Sequence, residues 1–96
     1  MRDVQLLSES AIKTALADQK DWEIKAGHLC RTFRFESFVQ AFGFMAAAAL
    51  EAEKLDHHPD WSNLYNQVHV RLRTHTPDGL TTLDLELAQR MSALAD

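Results

Sequence analysis

The sequence carries one cysteine, Cys30, in 96 residues. A single thiol excludes an intrachain disulfide and any cluster of thiolate metal ligands, and it suits a reducing compartment. Long apolar runs are missing as well. The longest spans residues 41–50, far short of the roughly 20 residues that a membrane-spanning helix needs. The opening Met1-Arg2-Asp3-Val4-Gln5 lacks the apolar stretch of a secretory signal. The expectation is a cytoplasmic protein with no membrane attachment. Basic clustering is scarce too: Lys and Arg total 10 against 14 Asp and Glu, a formal net charge of −4. Apart from the pair Arg71 and Arg73 the positive charges are scattered, so direct nucleic-acid binding is not expected. No Pro/Gly/Ser-rich linker, repeat or low-complexity stretch interrupts the chain, and residues 1–96 are expected to form one domain.

What is present is an ordinary globular mixture, 46% apolar and 25% charged. Ser8 is placed to cap a helix running to about Asp18, with Ala11, Ile12, Ala15 and Leu16 on one face. Trp22 to Ala26 and Leu29 to Phe35 read as strands joined by a Gly27-His28 turn. In the second of them Leu29, Arg31, Phe33 and Phe35 alternate with Cys30, Thr32 and Arg34.

The strongest local pattern follows. Phe38, Phe42, Met45, Ala49 and Ala52 recur at helical spacing and predict a buried stripe, ended by Pro59. The opposite face, with Ala41, Phe44, Ala47 and Ala48, is not polar either. A helix apolar nearly all round in so small a protein calls for a second cover, expected here to be another subunit.

Beyond Pro59, Trp61 to Tyr65 and Gln67 to Arg73 read as a hairpin around Tyr65-Asn66, with Asn66 supplying the positive φ. Val68, Val70 and Leu72 are expected inside, His69, Arg71 and Arg73 outside. Pro77-Asp78-Gly79 is a turn. Thr81 with Asp84 three residues on forms a capping box for a last helix, whose stripe is Leu83, Leu87, Met91 and Leu94. The order α-β-β-α-β-β-α belongs to the α+β class.

Chemistry-bearing residues gather late in the chain. Glu53 lies within roughly 20° of Phe42 around the helix axis, either near water at the helix end or at a cleft. His57 and His58 follow it, where a helix C-terminus favours histidine on electrostatic grounds alone. Adjacent histidines diverge, no His-x-x-x-His spacing occurs, and a metal site is not expected. His75 ends the last strand, where a bond to local backbone would also explain it. Asp84 has a complete explanation in the helix cap. Trp22 and Trp61 fit packing roles, and His28 and His69 read as turn and surface residues.

Taken in order, Glu53-Lys54-Leu55-Asp56-His57-His58-Pro59-Asp60-Trp61, Thr74-His75, Gly79-Leu80-Thr81 and Asp84 resemble the pterin-4a-carbinolamine dehydratase family. Trp22, Phe33-x-Phe35 and Phe38-x-x-x-Phe42 extend the resemblance over most of the chain. It implies a four-stranded antiparallel sheet with helices on one face, assembled as a homodimer or homotetramer. It implies an active site of Glu53, His57, His58, His75 and Asp84, with Asp56, His57, His58, Arg73, Thr74, His75 and Thr76 against the pterin. No metal or other cofactor is implied.

The implied reaction removes the 4a-hydroxyl of a 4a-hydroxytetrahydropterin as water and leaves a quinonoid dihydropterin, in recycling that serves a pterin-dependent aromatic amino acid hydroxylase. Histidine can be acid or base near neutrality, which suits a step that protonates a leaving hydroxyl and takes a proton from N5. On this resemblance His57 and His75 transfer protons, His58 anchors the pterin, and Glu53 and Asp84 orient the imidazoles and stabilise positive charge. Animal relatives also act as dimerisation cofactors of a homeodomain transcription factor, and other relatives are assembly factors that have lost the site residues. An interaction module using the apolar helix face is therefore the alternative.

Overall fold

The computed structural model describes residues 4–17, 19 and 21–96. Helix α1 (Glu9–Ala15) leads into strands β1 (Glu23–Lys25) and β2 (His28–Arg34), and helix α2 (Phe38–Leu55) follows. Strands β3 (Asp60–Leu64) and β4 (Gln67–Leu72) come next, then a short ribbon of β5 (Thr74–His75) and β6 (Asp78–Gly79), and helix α3 (Thr82–Ala95). The ribbon is an addition, because the sequence predicts only a turn there. The four longer strands form one antiparallel sheet in the order β1-β2-β4-β3.

Local chemistry sets most of the boundaries. Ser8 Oγ accepts the Ala11 N–H at 3.0 Å and starts α1, and Ser37 Oγ does the same for Gln40 at 3.1 Å in α2. The Asp18 boundary predicted for α1 lies outside the described residues. Ile12 and Leu16 are buried as expected, while Ala11 and Ala15 face outward. The first hairpin turns at Ala26-Gly27, with φ of 50° and 75°, one residue before the predicted pair. Glycine suits position 27 because a φ of 75° is one that side chains rarely adopt, and a Cβ there would also displace the end of the Arg73 side chain. In the second hairpin Tyr65, not Asn66, carries the positive φ.

The inner face of the sheet presents Leu29, Phe33, Val68, Val70 and Leu72, all buried. Burial of each such side chain is worth about 1.5–3 kcal/mol. Phe33 is the hub, edge-on to Trp22 at 5.8 Å and tilted against Phe44 at 4.5 Å. Arg31 shares this face, lying over the Phe33 ring at 4.1 Å and donating to Ser92 Oγ at 2.9 Å.

Helix α2 corrects the predicted stripe. The residues it buries are Ala41, Phe44, Ala48, Ala52 and Leu55, whereas Phe38 and Phe42 are 48% and 59% exposed. The buried face is rotated by roughly 80° from the predicted one. Three alanines let the helix approach closely, and the larger phenylalanines are left outside. In α3 the pattern shifts likewise: Leu87 and Met91 are buried with Asp84, Ala88 and Ser92, but Leu94 is exposed. No helix among the described residues is long and apolar enough to cross a membrane.

Candidate active site

The site begins at the end of α2. Asp56 takes the left-handed conformation, with φ 50° and ψ 45°. Its N–H donates to the Glu53 carbonyl at 3.1 Å, and the His57 N–H reaches back to Ala52 at 3.0 Å. This is the Schellman pattern, the 6→1 and 5→2 bonds that reverse a chain leaving a helix. The reversal sends the two following histidines apart. His57 turns inward and is 8% exposed, while His58 turns out to solvent.

Inward, His57 Nε2 meets Asp84 Oδ1 at 2.6 Å. Asp84 is fully buried, and its second oxygen accepts the Thr81 N–H at 2.9 Å and the Thr74 hydroxyl at 2.8 Å. One carboxylate therefore closes the capping box of α3 and also holds an imidazole. With Nε2–H donating to Asp84, Nδ1 is left as the acceptor of the neutral ring. Four elements meet on this network: the α2 end, β5, the turn before α3, and α3 itself.

Outward, His58 Nε2 lies 2.5 Å from Glu53 Oε1, one helical turn back on α2. His58 and His75 both line a cleft of about 70 Å³, together with His28, Asp60, Arg71 and Arg73. His57 is not among these lining residues, and about a tenth of its side chain is accessible. Arg73 donates to the Gly27 carbonyl at 2.7 Å and to Asp78 at 3.1 Å, tying the first hairpin to the ribbon. Asp56 is exposed in the helix cap, Thr74 is buried against Asp84, and Thr76 is exposed between β5 and β6.

Three lining residues escape the sequence reading. Arg71 and Asp60 are partners across β3 and β4, a register that follows once the hairpin turn is fixed at 65–66. His28 has no comparable signal, since it reaches the cleft through the pairing of β2 with β4, which are far apart in sequence. Cys30, on the open face beside Arg71, is no poised thiolate: burial pushes its pKa up, against the opposing pull of Arg71 and Lys25.

The model of the pterin 4 alpha carbinolamine dehydratase family matches residues 5–94. The chain belongs to this family. A relative from Brucella ovis bearing the pterin-4-alpha-carbinolamine dehydratase name is 50% identical over 91 residues, 93% of this chain and 94% of that one. A Solibacter usitatus relative of the same name is 46% identical over 89 residues, with 93% and 94% covered. The crystal structure of a transcriptional coactivator/pterin dehydratase from Brucella melitensis superposes with a TM-score of 0.90 at 47% identity, over 96% of this chain and 100% of that one. A pterin-4-alpha-carbinolamine dehydratase is a hydro-lyase, an enzyme that breaks a carbon–oxygen bond with loss of water. Its four-stranded antiparallel sheet with helices on one face agrees with the fold the sequence implies.

Proposed function

We propose that this chain dehydrates a 4a-hydroxytetrahydropterin by histidine acid–base chemistry. The C4a–O bond breaks as the hydroxyl takes up a proton and leaves as water. The N5–H proton passes to a base, and its electron pair closes the C4a–N5 double bond of the quinonoid dihydropterin. One proton is given and one is received, so the enzyme's proton count is unchanged. The two imidazoles, having exchanged protonation states, reset by passing a proton through solvent before the next turnover. Two imidazoles near one cleft can divide these tasks, each transfer contributing on the order of 10²–10⁴ in rate.

The observation that supports the reading is the pairing of both adjacent histidines with carboxylates beside the cleft that His58 and His75 line. In this scheme His57 and His75 move the protons. Asp84 fixes the His57 ring, His58 anchors the pterin with Glu53 behind it, and Asp56, Arg73, Thr74 and Thr76 complete the pterin contacts. The working compartment is the cytoplasm, and the step belongs to the recycling of a pterin used by an aromatic amino acid hydroxylase.

The decisive experiment follows the absorbance of a freshly generated 4a-hydroxytetrahydropterin. Wild-type protein should speed its decay, and the His57→Ala/His75→Ala double variant should not. Wild-type rates in the double variant would end the assignment.

A second reading has its own support. Phe38, Val39, Phe42 and Leu50 leave α2 with an exposed apolar face, and such a face calls for a cover. A second copy of the chain is the proposed cover, as a homodimer or homotetramer, and light scattering that reports a monomer at tens of micromolar would count against it. The Brucella melitensis relative is also described as a coactivator. A catalytically dead variant that still captures a partner would assign an interaction role to this face.

A further inference from the structure

Arg71 has no part in the proposed proton transfers, yet it borders two hollows. One is the cleft of His58 and His75, and the other is a shallow depression of about 410 Å³ on the open face of the sheet, where Lys25, Thr32 and His69 also lie. The cleft, at about 70 Å³, is far below the roughly 300–1,000 Å³ of usual ligand pockets. A pterin ring seated there leaves its substituent outside. One exit runs past Arg73 to a hollow rich in Leu6, Leu7 and Leu80, which suits an apolar group. The other runs past Arg71 over polar sheet.

The two arginines differ in what they have left to give. Arg73 has Nε and Nη2 on Asp78, at 3.1 and 3.0 Å, and Nη1 on the Gly27 carbonyl. Arg71 has two loose contacts: Asp60 at 3.8 Å, beyond hydrogen-bonding distance, and His28 Nε2 at 3.3 Å. His28 Nδ1 is 2.9 Å from the Ala26 carbonyl and must donate to it, so Nε2 is the acceptor of a neutral ring. Such a ring orients the guanidinium without cancelling its charge. Of the other carboxylates beside the open face, Glu23 pairs with Lys25 at 3.1 Å and Asp21 with Arg31 at 3.5 Å, which leaves Asp60 as the one carboxylate facing Arg71 among the described residues.

We propose that Arg71 reads an anionic group, a phosphate monoester or a carboxylate, on the pterin side chain, so that the preferred substrates are acidic pterins. A guanidinium presents paired donors to either anion. The proposal rests on the pterin reading of the cleft.

Binding separates the two. A stable 6-hydroxyalkyl-7,8-dihydropterin, its phosphate monoester and a 6-carboxyalkyl counterpart are titrated by pterin fluorescence into wild type, Arg71→Gln and Arg71→Lys. At least one anionic ligand should bind about tenfold tighter than the neutral one at low salt, with the margin shrinking as salt rises. Arg71→Gln should erase the margin and Arg71→Lys restore part of it, which a purely structural role would not do. Whichever anion holds the margin identifies the group. Equal binding of all three, or a margin that survives Arg71→Gln, overturns the role of Arg71 and leaves the dehydratase reading standing. Failure of every dihydropterin to bind overturns both.

Discussion

His57 and His58 are neighbours in sequence, and each is paired with a carboxylate, at 2.6 and 2.5 Å, yet the two pairs are different physical objects. The first is buried and shares its carboxylate with two threonines and a helix cap. The second is more than half exposed on both sides. Buried polar groups are costly when their partners are removed, whereas exposed pairs are screened and worth little to stability. The inner pair is therefore part of the fold, and the outer pair is free to serve a ligand. One left-handed residue, Asp56, separates the two environments.

The largest effect is expected from Asp84→Ala. It takes the acceptor from the buried Thr81 N–H and from the His57 ring, leaves the Thr74 hydroxyl with Thr81 Oγ1 alone and removes a helix cap, a loss of about 3 kcal/mol or more. Urea denaturation measures it, and a loss below about 1 kcal/mol would mean that the network does not hold the fold together. His57→Ala comes next, at about 2 kcal/mol, because it leaves a cavity and takes one donor from Asp84. It should also lower kcat strongly, since the proposed proton transfer goes with the ring. His58→Ala should cost under about 1 kcal/mol of stability and act mainly through KM. Equal destabilisation by His57→Ala and His58→Ala would erase the distinction between the pairs.

How far the sequence carries this contrast depends on the range of the forces involved. The capping box of Thr81 and Asp84 is a four-residue event and could be read directly, as could the hairpin turning at 65–66, although Asp60, opposite Arg71, lies one residue before the predicted strand. That His57 turns in and His58 out could not be read, because it depends on a left-handed Asp56 where glycine is the usual residue. On α2, bulk is no guide to the buried face. Phe38 and Phe42 are the large residues, but a helix lying close on a sheet needs Ala41, Ala48 and Ala52. His28 depends on the pairing of β2 with β4, a tertiary event with no local trace.

The smallest expected effect sharpens the contrast from the opposite side. The end of α2 is bridged to α3 twice, once by the buried His57–Asp84 pair and once at the surface by Glu51, which accepts from Arg90 at 3.0 Å. Hydrogen bonds from Lys54 and then from Arg90 outweigh partial burial and hold the Glu51 carboxyl below its ordinary value of 4.5. A carboxyl with a lowered folded pKa adds stability that is present in full above the unfolded value and is lost as pH falls through the folded one. Arg90→Ala should therefore melt slightly below wild type at pH 7, and the gap should close under acid conditions, below about pH 4. Added salt should narrow the gap at pH 7 as well, because the pair lies within reach of solvent ions. A gap that persists unchanged in acid and in high salt would place the Arg90 contribution in the packing of its aliphatic stem against α2 rather than in its charge. The exposed bridge would then be a packing contact, and burial alone would no longer explain why one bridge outweighs the other.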